Sequence, residues 1–169
     1  MIAFHHRQKA VFIILFMLML ITATHAQTER DAREETNCAL VQRLFSEGYN
    51  LRDLNILSDV LAVDYVEYLN GVELKGLISI IKSIKWLEEI APAFKISIED
   101  IICKGNKVVV RWKYEGIDVK YDKDITLDGI YIAQVEDGKI TRGWQVFDNL
   151  QRFEQLGYII EAPADSLTE

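Results

Sequence analysis

The hydrophobic period of this chain changes once, near Pro92, and that change restricts the available folds more than any other feature. Before Pro92 the apolar residues recur at three- and four-residue steps. Leu77, Ile80, Ile81, Ile84 and Leu87 predict a helix over about 76–90, which Pro92 closes. After Pro92 the apolar residues alternate. Phe94, Ile96 and Ile98 are interleaved with Lys95, Ser97 and Glu99, and Val108, Val110, Trp112 and Tyr114 with Val109, Arg111 and Lys113. Each run predicts a strand with one covered face. Gly105-Asn106 turns the chain between them, a third long strand covers 125–135, Asp137-Gly138 marks a hairpin, and a fourth strand runs over 139–147. A short helix over 149–156 follows and stops at Gly157. Helices first and an antiparallel meander second is an α+β order, with the helices covering one face of a curved sheet.

Upstream of that switch, Thr28 and Asp31 predict a helix start, and Cys38, Val41, Leu44 and Phe45 give this helix an apolar stripe that ends at Gly48. Leu54, Leu57, Val60 and Leu61 predict a second short helix over 51–61, and 64–69 reads as an extended piece ending in the turn Asn70-Gly71. The chain has 169 residues with no repeat, no low-complexity tract and no linker, which fits one domain.

Residues 1–26 read as a secretory signal peptide. Arg7 and Lys9 supply a positive start, Ala10 to Ile21 form an apolar run of 12, and Thr24-His25-Ala26 offers small residues for a signal peptidase. Cleavage near Ala26 predicts an exported chain, periplasmic or secreted, with a domain over 27–161 and a frayed tail over 162–169. An uncleaved anchor is the alternative. The run is shorter than the roughly 20 residues that cross a bilayer, so no membrane span is expected in the mature form.

Losing that segment removes all three histidines and all three methionines, and leaves 17 basic against 26 acidic residues. A mature chain without imidazole has no Ser-His-Asp triad, no Cys-His pair and no His-ligated zinc. Catalysis is left to carboxylates, Tyr, Lys, Arg or Cys. The acidic balance without any basic run argues against a nucleic-acid partner. Asp118, Asp122, Asp124 and Asp128 lack calcium-loop spacing and read as a solvated acidic hairpin, and no glycine-rich nucleotide loop occurs, so neither a metal nor an organic cofactor is expected. Cys38 and Cys103 stand in a chain expected to meet an oxidising compartment. Cys38 on the apolar stripe reads as a buried thiol, and a bridge between the two is the alternative.

The segment Glu136-Asp137-Gly138-Lys139-Ile140, then Trp144, Asp148 and Gln155-Leu156-Gly157, together with the order of elements, resembles the SnoaL-like polyketide cyclases. These belong to the cone-shaped superfamily of nuclear transport factor two and ketosteroid isomerase. The resemblance covers about Glu34 to Gly157. It implies a cone-shaped, curved antiparallel sheet with N-terminal helices over its concave face, an apolar pocket for a small hydrophobic, carbonyl-type or polyketide-like molecule, and a homodimer. It also implies that Asp148, at the end of the last strand, is the acid/base of a cofactor-free aldol-type cyclase or isomerase. Trp144, Tyr68, Trp86, Trp112 and Tyr131 are the expected ligand-binding residues. Trp144, Val146 and Asp148 share one strand face, which would desolvate the carboxylate. Asp148-Asn149-Leu150-Gln151 equally reads as a helix cap. The chain departs from the family at Gly116-Ile117-Asp118, where Gly-Thr-His is common, and at Tyr68, where many members place His. Those departures favour the alternative of a non-catalytic module that binds a small ligand or pairs as a dimer.

Overall fold

The alternation after Pro92 becomes four consecutive strands in the computed structural model, which describes residues 2–159 and residue 161. In chain order the elements are α1 (Ile2–Arg43), a π-helical turn (Leu44–Asn50), a 3-10 turn (Leu54–Ile56), α2 (Leu57–Val60), β1 (Leu61–Leu69), β2 (Val72–Lys75), α3 (Gly76–Ile90), β3 (Lys95–Lys104), β4 (Lys107–Asp118), β5 (Lys123–Glu136), β6 (Lys139–Phe147) and α4 (Asn149–Gln155). Among the described residues the strands form one curved sheet in the order β2-β1-β6-β5-β4-β3. Neighbours are antiparallel except β1 and β6, which run parallel, so the sheet is mixed rather than purely antiparallel. Two hairpins turn on Asn70-Gly71 and Asp137-Gly138, where both central residues adopt positive φ, at 47° and 83° and at 49° and 72°. That geometry matches the right-handed twist of the strands it joins.

The end of α1 and the π-helical turn pack over β3, and α3 packs over β1 and β2. Val41, Phe45, Ile80 and Ile84 from the helices close on Val108, Val110, Tyr131 and Ala133 from the sheet. Every one of these is buried, and together they make an α+β core on one sheet face.

The first helix departs from expectation. Thr28 does not cap it; α1 runs through, and the Thr28 hydroxyl donates to the Thr24 carbonyl at 3.1 Å. Gly48 does not stop it either. The chain widens into the π-helical turn at Leu44, and Gly48 lies against Leu57 and Ile56, which a Cβ would meet at 3.3 and 3.4 Å. The expected helix over 51–61 shrinks to the 3-10 turn and α2. Strand β2 was not expected, because its mostly exposed residues carry no alternation. The expected tail over 162–169 lies outside the described residues. Among the described residues no helix is long and apolar enough to cross a membrane.

The sulfurs left open by sequence are joined: Cys38 in α1 and Cys103 in β3 form a disulfide, with Cα atoms 5.9 Å apart. Neighbouring groups fasten the same corner. Asn37 Nδ2 donates to the Gly105 carbonyl at 3.0 Å, and the Gly105 N–H donates to Glu34 Oε1 at 2.8 Å. That amide bond, with Lys104 beside it, holds the Glu34 carboxyl below its ordinary pKa.

Candidate functional site

Between the helices and the covered sheet face lies a cavity of about 390 Å³. Strand alternation decides what enters it. Glu67 and Leu69 line it from β1, with Tyr65 buried on the same face behind them, Trp112, Tyr114 and Asp118 line it from β4, and Gln145 and Phe147 from β6. The π-helical turn adds Phe45 and Tyr49. Wide turns of this kind recur at functional sites because they re-aim side chains that an α-helix would point elsewhere. Trp86, Leu87 and Ile90 of α3 also line it, and half-exposed Trp86 meets Arg152 of α4 at its mouth.

Glu67 is the chemically distinctive group. Only 4 % exposed, it lines an otherwise largely apolar cavity. Burial pushes its carboxyl up to about 7, against a smaller downward pull from the Tyr65 hydroxyl. Tyr65 donates to Glu67 Oε2 at 3.3 Å, and the Tyr65 and Tyr131 hydroxyls lie 3.0 Å apart. Tyr65 has a single proton, so while it serves Glu67 the Tyr131 hydroxyl donates to Tyr65. Burial raises both phenols well above their ordinary range, so they remain hydrogen-bond donors at all working pH values. Two glycines make room for these rings. A Cβ at Gly143 would collide with the Tyr65 hydroxyl and meet Tyr131 Cε2 at 2.7 Å, and one at Gly129 would run into the Trp112 indole.

Asp118 is the second buried carboxylate, and its burial corrects the reading of a wholly solvated acidic hairpin. Its Oδ1 accepts from the Lys120 and Tyr121 amides at 3.0 and 3.2 Å, and its Oδ2 lies 4.0 Å from Arg152 Nη2. The Trp112 Nε1–H is buried with no hydrogen-bond partner among the described residues. Among those residues no three His, Cys, Asp or Glu side chains converge into a metal-binding cluster.

The structure separates the residues that sequence had grouped. Trp112 lines the cavity, Trp86 stands at its mouth, and Tyr131 lies in the hydroxyl pair behind Glu67. Trp144 and Tyr68 do not reach the cavity. They stack on each other at 6.3 Å on the opposite sheet face, where the Lys107 ammonium sits 4.4 Å over Trp144. The alternation predicts Trp144, Val146 and Asp148 on the covered face; in that half of β6 the covered residues are instead Gly143, Gln145 and Phe147. Alternation states which residues share a face, and not which face is covered. Asp148 is exposed, does not line the cavity, and caps α4 by accepting the Gln151 N–H at 3.0 Å. Of its two sequence readings, the cap is the one this geometry realises. Glu67 was missed, although a Glu two residues from Tyr65 and two from Leu69 on a short strand was the signal available.

A sequence profile described as SnoaL-like polyketide cyclase matches residues 39–156. No protein of curated function matches the chain in sequence. Solved structures with the same cone-like fold include a protein from a Jannaschia species described as a SnoaL-like polyketide cyclase. It is 17 % identical with TM-score 0.68, covering 75 % of this chain and 94 % of that one. A Bacillus cereus protein described as a polyketide cyclase is 26 % identical with TM-score 0.66, covering 74 % and 83 %. IdmH of Streptomyces antibioticus, described in the same way, is 20 % identical with TM-score 0.65, covering 72 % and 99 %. With the α+β cone, its enclosed cavity and a profile match across most of both, the chain belongs to the SnoaL-like polyketide cyclase family.

Proposed function

We propose that the protein binds a small, largely apolar carbonyl compound of polyketide-like character, and that Glu67 moves a proton on it in an aldol-type cyclisation or an isomerisation. The observation that carries this reading is the Glu67 carboxyl, buried against the apolar cavity and pushed up to about 7. A carboxyl near neutrality is half ionised at working pH, so it can take a proton from the carbon beside a carbonyl and return it to carbon or oxygen. Tyr65 steadies the charged form, with Tyr131 behind it. The unpaired Trp112 N–H suits a ligand with an acceptor oxygen. Asp148, exposed and engaged as a cap, has no part in this chemistry. The test is solvent deuterium exchange at the α-carbons of 2-tetralone, followed by proton NMR. Exchange catalysed by the protein is expected to vanish in Glu67→Gln and persist in Asp148→Asn; undiminished exchange in Glu67→Gln sinks the reading. Saturable 2-tetralone binding without any catalysed exchange would instead favour the non-catalytic binding module.

The chain is further proposed to be exported. The Cys38–Cys103 bridge supports this, because such bonds persist in oxidising compartments, and so does the secretory pattern of residues 1–26. An intact mass beginning at Gln27 is expected for protein recovered outside the cytoplasm, and a mass beginning at Met1 would contradict it.

A further inference from the structure

Trp86 is 49 % exposed at the mouth of the cavity, and two cations stand near it. The Arg152 guanidinium lies 5.4 Å from the centre of its ring. Lys82 lines a shallow depression with Ser79, and this depression shares Leu74, Ser83 and Trp86 with the cavity itself. The two hollows therefore adjoin at Leu74, Ser83 and Trp86.

Lys82 makes no ion pair among the described residues, and Arg152 makes one long one besides its contacts with the Trp86 and Phe153 rings. The carboxylate nearest to Arg152 is Asp118, at 4.0 Å, beyond hydrogen-bond length, and the other oxygen of Asp118 is held by backbone amides. None of the ion pairs among the described residues uses Lys82. The depression has no acidic lining residue, in a chain with 26 acidic and only 19 basic residues. A half-exposed indole beside two cations thus runs against the composition of the chain.

We propose that the ligand carries an anionic group, of the carboxylate or sulfonate type, that stays at the mouth between Arg152 and Lys82 while its apolar body fills the cavity toward Glu67. This rests on the cavity being a ligand site, as proposed above, and adds the charge and the orientation of the ligand. Arg152 offers a planar fork to an oxyanion, which a carboxylate or sulfonate can fill with two hydrogen bonds. Its partial burial shields that contact from solvent, and Lys82 adds a second, exposed charge. Holding the anion at the mouth keeps it apart from Glu67, whose ionised form it would otherwise oppose.

A matched pair of probes separates charge from shape. 8-Anilinonaphthalene-1-sulfonate and N-phenyl-1-naphthylamine differ by one sulfonate, and both fluoresce on entering an apolar site. The sulfonate is expected to bind about tenfold more tightly, the scale of hydrogen bonds to a charged group. That preference should shrink as salt is added. It should fall in Lys82→Gln and disappear in Lys82→Gln/Arg152→Gln, the sulfonate losing more affinity than the neutral amine in each. Lys82 is exposed and its variant folds independently of Asp118, so the single variant keeps the test valid if Arg152→Gln disturbs that carboxylate. Equal binding of the two probes by the parent protein, or a sulfonate preference that survives the double variant, overturns the anion site and leaves the cavity reading intact. Failure of both probes to bind overturns the cavity reading, and the anion site with it.

Discussion

A carboxyl buried among Phe45, Tyr49 and Trp112 is more easily kept neutral than charged, and that preference is a statement about stability. Glu67 titrates near 7 in the folded chain, against 4.5 for a free side chain. Between those values the folded chain holds a proton that the unfolded chain has released, so stability falls as pH rises from 4.5 to 7 and is level beyond. The full difference is about 3 kcal/mol, at roughly 1.36 kcal/mol per pH unit. Glu67→Gln is therefore expected to equal the parent near pH 4 and exceed it by up to about 3 kcal/mol above pH 7. Urea unfolding at pH 4, 6 and 8 measures this; parallel profiles for the two proteins would place Glu67 in solvent. The same residue marks the limit of what single positions declared in sequence. Asp148 stood in the family ending and drew the acid/base role, whereas Glu67 sat on a strand of nine residues with little pattern around it. Burial comes from α3 packing over that strand, a tertiary contact that the strand's own pattern does not announce.

Elements with a strong internal period were legible, and those placed by distant contacts were not. Helix α3 has its predicted bounds, Gly76–Ile90, because apolar spacing, Gly76 and Pro92 all agree. Strand β6 likewise has its predicted bounds, Lys139–Phe147, but its covered face was inverted. Hydrophobicity pointed to Trp144 and Val146, whereas Gly143 faces inward because the Tyr65 and Tyr131 rings occupy the space a Cβ would need. The attachment of α1 to β3 also lay outside any local pattern, since Cys38 and Cys103 are 65 residues apart. Constraining a loop of that length in the unfolded chain stabilises the fold by about 4 kcal/mol on the chain-entropy account. Reduction, or Cys38→Ser/Cys103→Ser, is expected to lower the urea midpoint and to steepen the transition, because the unfolded chain freed of the cross-link exposes more surface. An unmoved midpoint would mean that the Glu34 and Asn37 contacts to Gly105 hold this corner unaided.

At the scale of the whole molecule, Trp144 and Tyr68 lie on the sheet face that the helices leave uncovered. Register carries an apolar band across four strands, from Tyr68 to Trp144, Ile132 and Val109, with Ile130 paired to Val146 beside it. Val146 is 56 % exposed and Ile130 39 %, and the Arg111–Asp100 ion pair borders the band. Contiguous apolar surface with a polar rim is the pattern of an association site. A second copy of the chain is the proposed occupant, because a two-fold pairing lets one band cover itself. Light scattering of the parent protein is expected to give twice the protomer mass, and Val146→Lys to give one, since it puts a charge on the apolar surface that pairing would bury. The cavity opens on the other face, so Val146→Lys should bind N-phenyl-1-naphthylamine like the parent. A parent protein of single protomer mass removes the dimer. A Val146→Lys protein that stays dimeric moves the interface elsewhere. Loss of amine binding together with dissociation would mean that pairing of the sheets shapes the cavity from behind, through the β5 and β6 backbone that the two faces share.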